Sequence, residues 1–160
     1  MNEELNRFFK SISFSDDVFN EALLDRVVFK KGENKFLVYI KNKNVLPVGS
    51  VNRLFLCAMN GINGEKSCDI NISYDEVTHE DIIAYLDYLI DDIILKRPSL
   101  ISVKKSSIEV IDNTIYFHVL NDFERSDLLH ESKKILNNLN RYGLGNFNIE
   151  VNISEDERKN

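Results

Sequence analysis

The sequence predicts an α+β fold built from two small tandem modules, each with the element order α-β-β-α-β. Three observations predict it. Apolar residues recur at helical spacing in some segments, they alternate with polar residues in others, and the same order of segments occurs twice. We place the first module at residues 1–76 and the second at residues 77–160, joined by an apolar helix.

The first module begins with two helical patterns. Apolar residues at i, i+3, i+4 and i+7 predict one helix, and they are Leu5, Phe8, Phe9 and Ile12. Ser15 is the expected N-cap of a second short helix, with Asp16 and Asp17 in its first turn. The apolar stripe expected for this second helix comprises Val18, Phe19, Ala22 and Leu23.

A hairpin, a helix and a strand follow. Residues 26–30 and 36–40 are β-prone, and turn-forming residues separate them. Pro47 suits the first position of a helix, and Gly61 marks its end. Residues 69–74 then alternate between polar and apolar side chains, which predicts a half-buried strand.

The second module repeats this order. Residues 108–111 and 115–119 predict a hairpin around a tight turn, and a helix is expected over residues 124–142 before Gly143. Residues 147–153 alternate as a closing strand. Corresponding positions keep near-constant offsets: Phe36 to Ile115 is the same distance along the chain as Ile70 to Ile149, and Gly61 to Gly143 is only slightly longer.

The connecting helix, residues 78–96, starts with a capping-box pattern at Thr78 and Asp81. Its apolar residues cover more than one face, so we expect it to be the leading helix of the second module and to be covered on two sides. Arg97-Pro98 ends it, and residues 99–103 are expected to add one short helical turn.

Charge and hydropathy limit the function classes. The net charge is −6; residues 1–75 are neutral, and residues 76–160 carry the whole excess of acidic side chains. Because nucleic-acid binding depends on neutralising phosphates, this balance argues against it as the main function without excluding a local basic patch. No apolar run reaches membrane-spanning length and the acidic start is unlike a signal peptide, so we expect a soluble, cytoplasmic protein.

No catalytic or metal-binding pattern stands out. His79, His118 and His130 share no ligand spacing, and Cys57 is expected to be a buried structural thiol. The pairs Asp16-Asp17 and Asp91-Asp92 are better explained by a helix N-terminus and a solvated face than by acid–base chemistry. We therefore expect no cofactor, no metal and no catalytic residue in this chain.

Residues Gly61, Ile62, Asn63 and Gly64 form a Gly-x-x-Gly loop, the feature with which KH modules clamp a nucleic-acid backbone. The α-β-β-α-β order is itself similar to a KH-type fold. However, the loop has no basic residue between its glycines, and it leads into a strand where the KH loop joins two helices. A helix C-cap followed by a turn is the favoured interpretation, and the nucleic-acid loop is the alternative.

Lysines cluster around the first hairpin. As a functional patch they could bind an acidic partner, and as ordinary surface charges they would protect the edge of a small sheet. Solubility charges are the favoured interpretation. The candidate partner-binding residues are Lys30, Lys31, Lys35, Lys41 and Lys43, and Lys104 and Lys105 pose the same choice.

Many short pieces resemble, in order, the N-terminal region of PolC-type bacterial DNA polymerase III. The match covers nearly the whole chain, and its specificity lies in order and spacing, because no piece is a catalytic motif. The pieces are residues 15–19, 36–40, 44–47, 80–82, 98–102 and 141–144, with the closing strand.

The resemblance implies a non-catalytic region of a replicative polymerase whose polymerase and exonuclease domains, with their divalent metals, lie downstream. It also implies KH-like modules similar to the C-terminal domain of the clamp-loader tau subunit, and contacts with replisome proteins, tau included. The charged residues 154–160 fit a linker to a following domain. A KH-like single-stranded nucleic-acid-binding module is the alternative function.

Overall fold

The computed structural model describes residues 2–103 and 108–154. The chain divides into two compact units, Met1–Val77 (unit 1) and Thr78–Asn160 (unit 2). Each unit is a mixed α and β structure with one three-stranded sheet. The predicted α+β class is therefore confirmed.

Unit 1 contains helix α1 (Glu3–Ser11), strands β1 (Leu23–Lys30) and β2 (Lys35–Asn44), helix α2 (Val48–Asn60) and strand β3 (Cys68–Glu76). A 3₁₀ turn at Asp17–Phe19 lies between α1 and β1. The sheet order is β1-β2-β3; β1 pairs antiparallel with β2, and β2 pairs parallel with β3. Both β1 and β3 are consequently edge strands.

The core of unit 1 combines a cluster of aromatic rings with aliphatic side chains from the sheet and from α2. Phe9, Phe14 and Phe19 pack edge to face, with ring centroids 4.9–5.4 Å apart, an arrangement that aromatic quadrupoles favour. Val38 and Ile40 point inward from β2 and are fully buried. Helix α2 packs against β3 and adds further apolar side chains, namely Val51, Leu54, Phe55 and Ala58.

Unit 2 contains helix α3 (His79–Lys96), strands β4 (Ile108–Ile111) and β5 (Thr114–Val119), helix α4 (Asp122–Arg141) and strand β6 (Asn148–Ile153). The capping box predicted at the start of α3 is present: the Thr78 hydroxyl accepts from the Asp81 amide, and the Asp81 carboxylate accepts from the Thr78 amide. A 3₁₀ turn at Pro98–Leu100 follows α3.

The sheet of unit 2 repeats that of unit 1. Its order is β4-β5-β6, with β4 antiparallel to β5 and β5 parallel to β6. Even the 3₁₀ turn between the first helix and the first strand recurs. The two units thus share element order and strand direction.

The chain that separates paired residues of the two parallel strands is two residues longer in unit 2 than in unit 1. Phe36 pairs with Cys68 in unit 1, whereas Ile115 pairs with Ile149 in unit 2. If Phe36 is matched to Ile115, the counterpart of Cys68 is Ile149, and that of Ile70 is Val151. The expected correspondence between Ile70 and Ile149 is therefore wrong by two residues. The sequence pattern could not reveal this, because a shift by two residues leaves the alternation of apolar and polar side chains unchanged.

Three local predictions in unit 1 need correction. The N-cap of the first 3₁₀ turn is Asp16, whose carboxylate accepts from the Val18 amide, and not Ser15. Leu23 begins β1 instead of extending a helix, since the element before it is a single 3₁₀ turn. Pro47 is the N-cap of α2, one residue before the position expected for it.

Some predictions fall outside the described part of the chain. Lys104 and Lys105 lie there, as does nearly all of the charged segment at residues 154–160. Within residues 2–103 and 108–154, none of the helices has the length and apolar character needed to cross a bilayer.

Candidate functional site

The five candidate lysines lie along the β1–β2 hairpin. Lys30 ends β1, Lys31 lies in the turn and Lys35 begins β2, so these three share the turn end. Lys41 and Lys43 lie farther along β2, roughly 20–26 Å from Lys35 at about 3.3 Å per residue. The lysines therefore form two groups at opposite ends of the hairpin.

Acidic neighbours pair with three of these lysines. Lys35 Nζ lies 2.6 Å from Asp69 and 3.4 Å from Glu33, and hydrogen bonds to these two carboxylates raise the pKa of Lys35. Glu33 also lies 3.9 Å from Lys30, and Lys41 lies 3.5 Å from Asp25. Among the described residues, Lys31 and Lys43 are in no ion pair, so they are the hairpin lysines with a free charge.

The hairpin is nevertheless strongly basic compared with the rest of the chain. Residues 23–44 contain six basic and two acidic side chains, a net charge of +4, whereas the complete chain carries −6. A positive surface on an otherwise acidic protein favours encounters with negatively charged partners.

Strand β1 is exposed on both faces, which sequence reasoning did not predict. The side chains of Val27, Val28 and Phe29 remain 47%, 39% and 39% exposed. Val27 and Phe29 lie opposite Val38 and Phe36, on the face that carries the core, while Val28 lies opposite Leu37 on the other face. An unbroken apolar run is typical of a strand buried on both faces, so the pattern contains no signal of this exposure.

Cations lie over the aromatic rings beside this strand. The Arg26 guanidinium is 4.2 Å from the centre of the Tyr39 ring on the outer face. Lys66 Nζ lies 4.8 Å from the centre of the Phe29 ring and 5.9 Å from that of Phe36. Such contacts shield the rings from water without neutralising the charges. Lys66 is thus a member of the basic hairpin region that sequence reasoning missed.

The Gly61–Gly64 loop uses all four of its amides internally. Gly61 donates to the carbonyls of Cys57 and Ala58, Ile62 to Lys66, and Gly64 to Gly61. Asn63 donates to the Ser11 carbonyl at 2.8 Å, which ties the loop to the end of α1. A backbone clamp for phosphates would need free donors, so the geometry favours the helix C-cap interpretation.

Two open grooves also lie on unit 1. One, of about 400 Å³, is lined by polar and acidic residues, including Asp17, Glu21 and Asn42, together with apolar ones such as Val18 and Leu46. The other, of about 250 Å³, lies between the α1–β1 connection and α2, and its lining includes Phe14, Leu56 and Arg53. Among the described residues that line these two grooves, no cluster of groups is arranged for acid–base or nucleophilic chemistry.

Arg53, which lines the second groove, belongs to an ion pair. The Arg53 guanidinium binds the Asp16 carboxylate, which also caps the 3₁₀ turn. Burial opposes ionisation of Asp16, but the hydrogen bonds from Val18 and Ser50 and the positive charge of Arg53 outweigh it. Together they hold the pKa of Asp16 below its ordinary value. The pair therefore has a structural role in joining α2 to this turn.

Unit 2 contains a polar network around the start of α4. Arg97 binds Asp127 at 3.1 Å and Glu131 at 2.7 Å, and the Ser99 hydroxyl donates to Asp127 at 2.7 Å. Glu124, only 6% exposed, accepts from the Ser102 hydroxyl and from the Leu120 amide. Because these carboxylates are satisfied by donors within unit 2, the network attaches the segment after α3 to α4.

The cysteines and histidines of the described residues form no shared cluster. Cys57 is only half-buried, so the expectation of a buried thiol is wrong for it; Cys68 is buried, and burial raises the pKa of its thiol. His118 lies 4.0 Å from Glu109 on the neighbouring strand. Across residues 2–103 and 108–154, no three His, Cys, Asp or Glu side chains are grouped as metal ligands.

No protein-family model matches the chain, and no curated protein matches it.

Proposed function

We propose that this chain is a non-catalytic N-terminal protein-interaction region of a PolC-type bacterial DNA polymerase III. In this proposal it docks the clamp-loader tau subunit or another replisome protein. The parent chain is then a cytoplasmic DNA-directed DNA polymerase with 3′–5′ exonuclease activity. The observation that carries the proposal is the tandem repetition of one small α-β-β-α-β unit, the first copy of which exposes a basic, apolar hairpin.

Two further points support this assignment. The pieces of the PolC resemblance extend through both units, from the first 3₁₀ turn to the end of α4 and the closing strand. We also propose that each unit is KH-like, which is the fold that the resemblance implies. Large apolar side chains exposed on a folded unit are a common mark of protein-binding surfaces.

Binding of purified tau to the intact chain tests the proposal. We expect a specific complex in calorimetry and in pull-downs with the immobilised chain. The N-terminal half of the intact polymerase serves as a second bait, because a longer chain could supply missing contacts. If neither bait binds tau, the tau assignment is wrong, and the remaining replisome proteins are tested in the same way.

Single-stranded nucleic-acid binding is the second candidate, favoured by the net charge of +4 on residues 23–44. It predicts binding that weakens steeply with salt, since counterions are released from the phosphates. Titration of labelled single-stranded DNA and RNA at low salt, followed by fluorescence anisotropy, measures it. A dissociation constant well above roughly 1 μM would contradict this candidate.

A further inference from the structure

We infer that β1 is an open strand edge that binds an acidic, extended peptide segment of another protein as a fourth strand. The inference rests on the proposed docking function and adds to it a place and a chemistry. In the strand order β1-β2-β3, one side of β1 has no strand partner among the described residues. Such an edge presents backbone donors and acceptors that an added strand can use.

The corresponding strand of unit 2 provides an internal comparison. β4 holds the same position in its sheet; within the part of the chain that the structure describes it spans Ile108–Ile111, and Ile108 and Val110 are buried. β1 covers eight residues with an irregularity between Leu24 and Arg26, and its only side chain that is even half-buried is Leu24. Covered edges protect proteins from unwanted pairing, so the exposure of β1 distinguishes it as the available edge.

The alternation of β1 defines the side chains that an added strand needs. On the face that carries the core, Val27 and Phe29 are exposed and would lie beside apolar residues of the peptide. On the opposite face, Arg26 and Lys30 flank Val28 and would lie beside acidic residues. The matching segment therefore alternates apolar and acidic residues, because successive side chains of a strand point to opposite faces.

Charge also decides between a foreign peptide and a second copy of this chain. Pairing β1 with β1 of another copy would bring two hairpins of net charge +4 together. The other edge strand, β3, carries Asp69, Asp75 and Glu76 but buries its apolar residues in its own unit, against α2. A second copy would therefore leave the exposed apolar side chains of β1 uncovered, and the acidic peptide is the better fit.

The test uses the full chain and a synthetic peptide that alternates valine and glutamate. At low ionic strength we expect binding in fluorescence anisotropy, and slower amide hydrogen exchange in β1. A valine–lysine peptide should bind much more weakly. A valine–glutamate peptide N-methylated at alternate residues keeps its charges but loses backbone donors, so it too should bind weakly.

Two charge reversals locate the site. Lys31→Glu, in the turn directly after β1, should weaken peptide binding by roughly fivefold, because it replaces a positive charge beside the end of the added strand with a negative one. Lys43→Glu is the matched control: it makes the same charge change on the same hairpin, also at a lysine free of ion pairs among the described residues. Its effect should be less than about twofold, since Lys43 lies on the central strand β2, past the residues that pair with β1 and away from the open edge.

Several results would overturn the inference. Equal binding of the N-methylated peptide would exclude strand addition, and equal effects of Lys31→Glu and Lys43→Glu would exclude β1 as the site. Lys31-dependent binding of single-stranded DNA without peptide binding would assign the surface to nucleic acid, and self-association of the free chain would assign it to a second copy. Peptide binding without a tau complex would contradict the tau assignment but not the inference about β1. A tau complex that Lys31→Glu does not weaken would support the tau assignment and contradict docking at β1.

Discussion

The backbone around Gly61 explains why glycine is needed at this position, without any role in binding a ligand. Its φ of +91° lies in the region that side chains disfavour. A Cβ added there would lie 2.6 Å from the carbonyl oxygen of Lys66, a backbone atom that cannot move aside cheaply. The glycine that suggested a nucleic-acid loop is thus required by the end of α2.

We expect Gly61→Ala to lower the free energy of unfolding of unit 1 by about 3 kcal/mol. The disfavoured φ accounts for about 1–2 kcal/mol, and the clash with Lys66 adds the rest. Gly64→Ala is the control, because Gly64 also has a positive φ but has open space around its Cβ position. Urea denaturation followed through amide signals of unit 1 measures both. Equal losses for the two variants would show that the clash is unimportant.

The sequence predicted that a structural role, such as an N-cap or a buried thiol, would occur in a segment better than it predicted which residue has that role. It placed an N-cap before the first 3₁₀ turn but chose Ser15, and Asp16 has the role. Both are good capping residues, so propensity alone cannot separate neighbours. The burial of Cys57 was also overestimated, because an apolar pattern identifies a helix but fixes the edge of its buried face only to within one position.

Among the elements, those with clean patterns were predicted well. Residues 69–74 fall within β3 and residues 147–153 nearly coincide with β6, since a strand with one buried face alternates strictly. The pairing of β2 with β3 in parallel could not be read from the sequence, because it joins segments that are far apart in the chain and separated by a helix. The exposure of β1 was missed for the same reason: it depends on what the rest of unit 1 leaves uncovered.

Helix α3 is the element whose core face is easiest to test. Ile90 is 4% exposed and faces the core of unit 2, while Leu95 on the same helix is 83% exposed. We expect Ile90→Asp to destabilise unit 2 by about 3 kcal/mol or more, because it buries an unpaired carboxylate. Leu95→Asp makes the corresponding change in solvent and should alter stability by less than about 0.5 kcal/mol.

Thermal unfolding monitored by circular dichroism compares these two variants with the original chain. A matching loss for Leu95→Asp would mean that the helix responds to added negative charge and not to burial. An unchanged melting curve for Ile90→Asp would show that α3 contributes little to the core.

For the whole molecule, the repeated order of elements was visible in the sequence and the chain indeed forms two units with the same sheet topology. The number of residues between the paired positions of the parallel strands could not be predicted from the sequence. An alternating pattern repeats at every second residue, so registers that differ by one repeat satisfy it equally well. Of the proposed docking surface, the sequence predicted only the lysines; the exposed apolar side chains of β1 were found in the structure.

Each unit has its own sheet and its own buried side chains, so we expect a fragment of residues 1–77 to fold alone with modest stability. Dispersed amide signals that coincide with those of the same residues in the intact chain would confirm this. Collapsed, poorly dispersed signals would show that unit 1 depends on the remainder of the chain. The fragment of residues 78–160 is tested in parallel.

The unequal burial of the two cysteines has a practical consequence. The thiolate is the form of cysteine that attacks an alkylating reagent. The Cys68 thiol is buried and its pKa is raised by burial, whereas Cys57 is only half-buried. Brief alkylation under native conditions therefore attaches one fluorophore or spin label, at Cys57, without any engineering. Both cysteines belong to unit 1. The rate at which Cys68 then reacts with a second reagent therefore measures how often that unit opens.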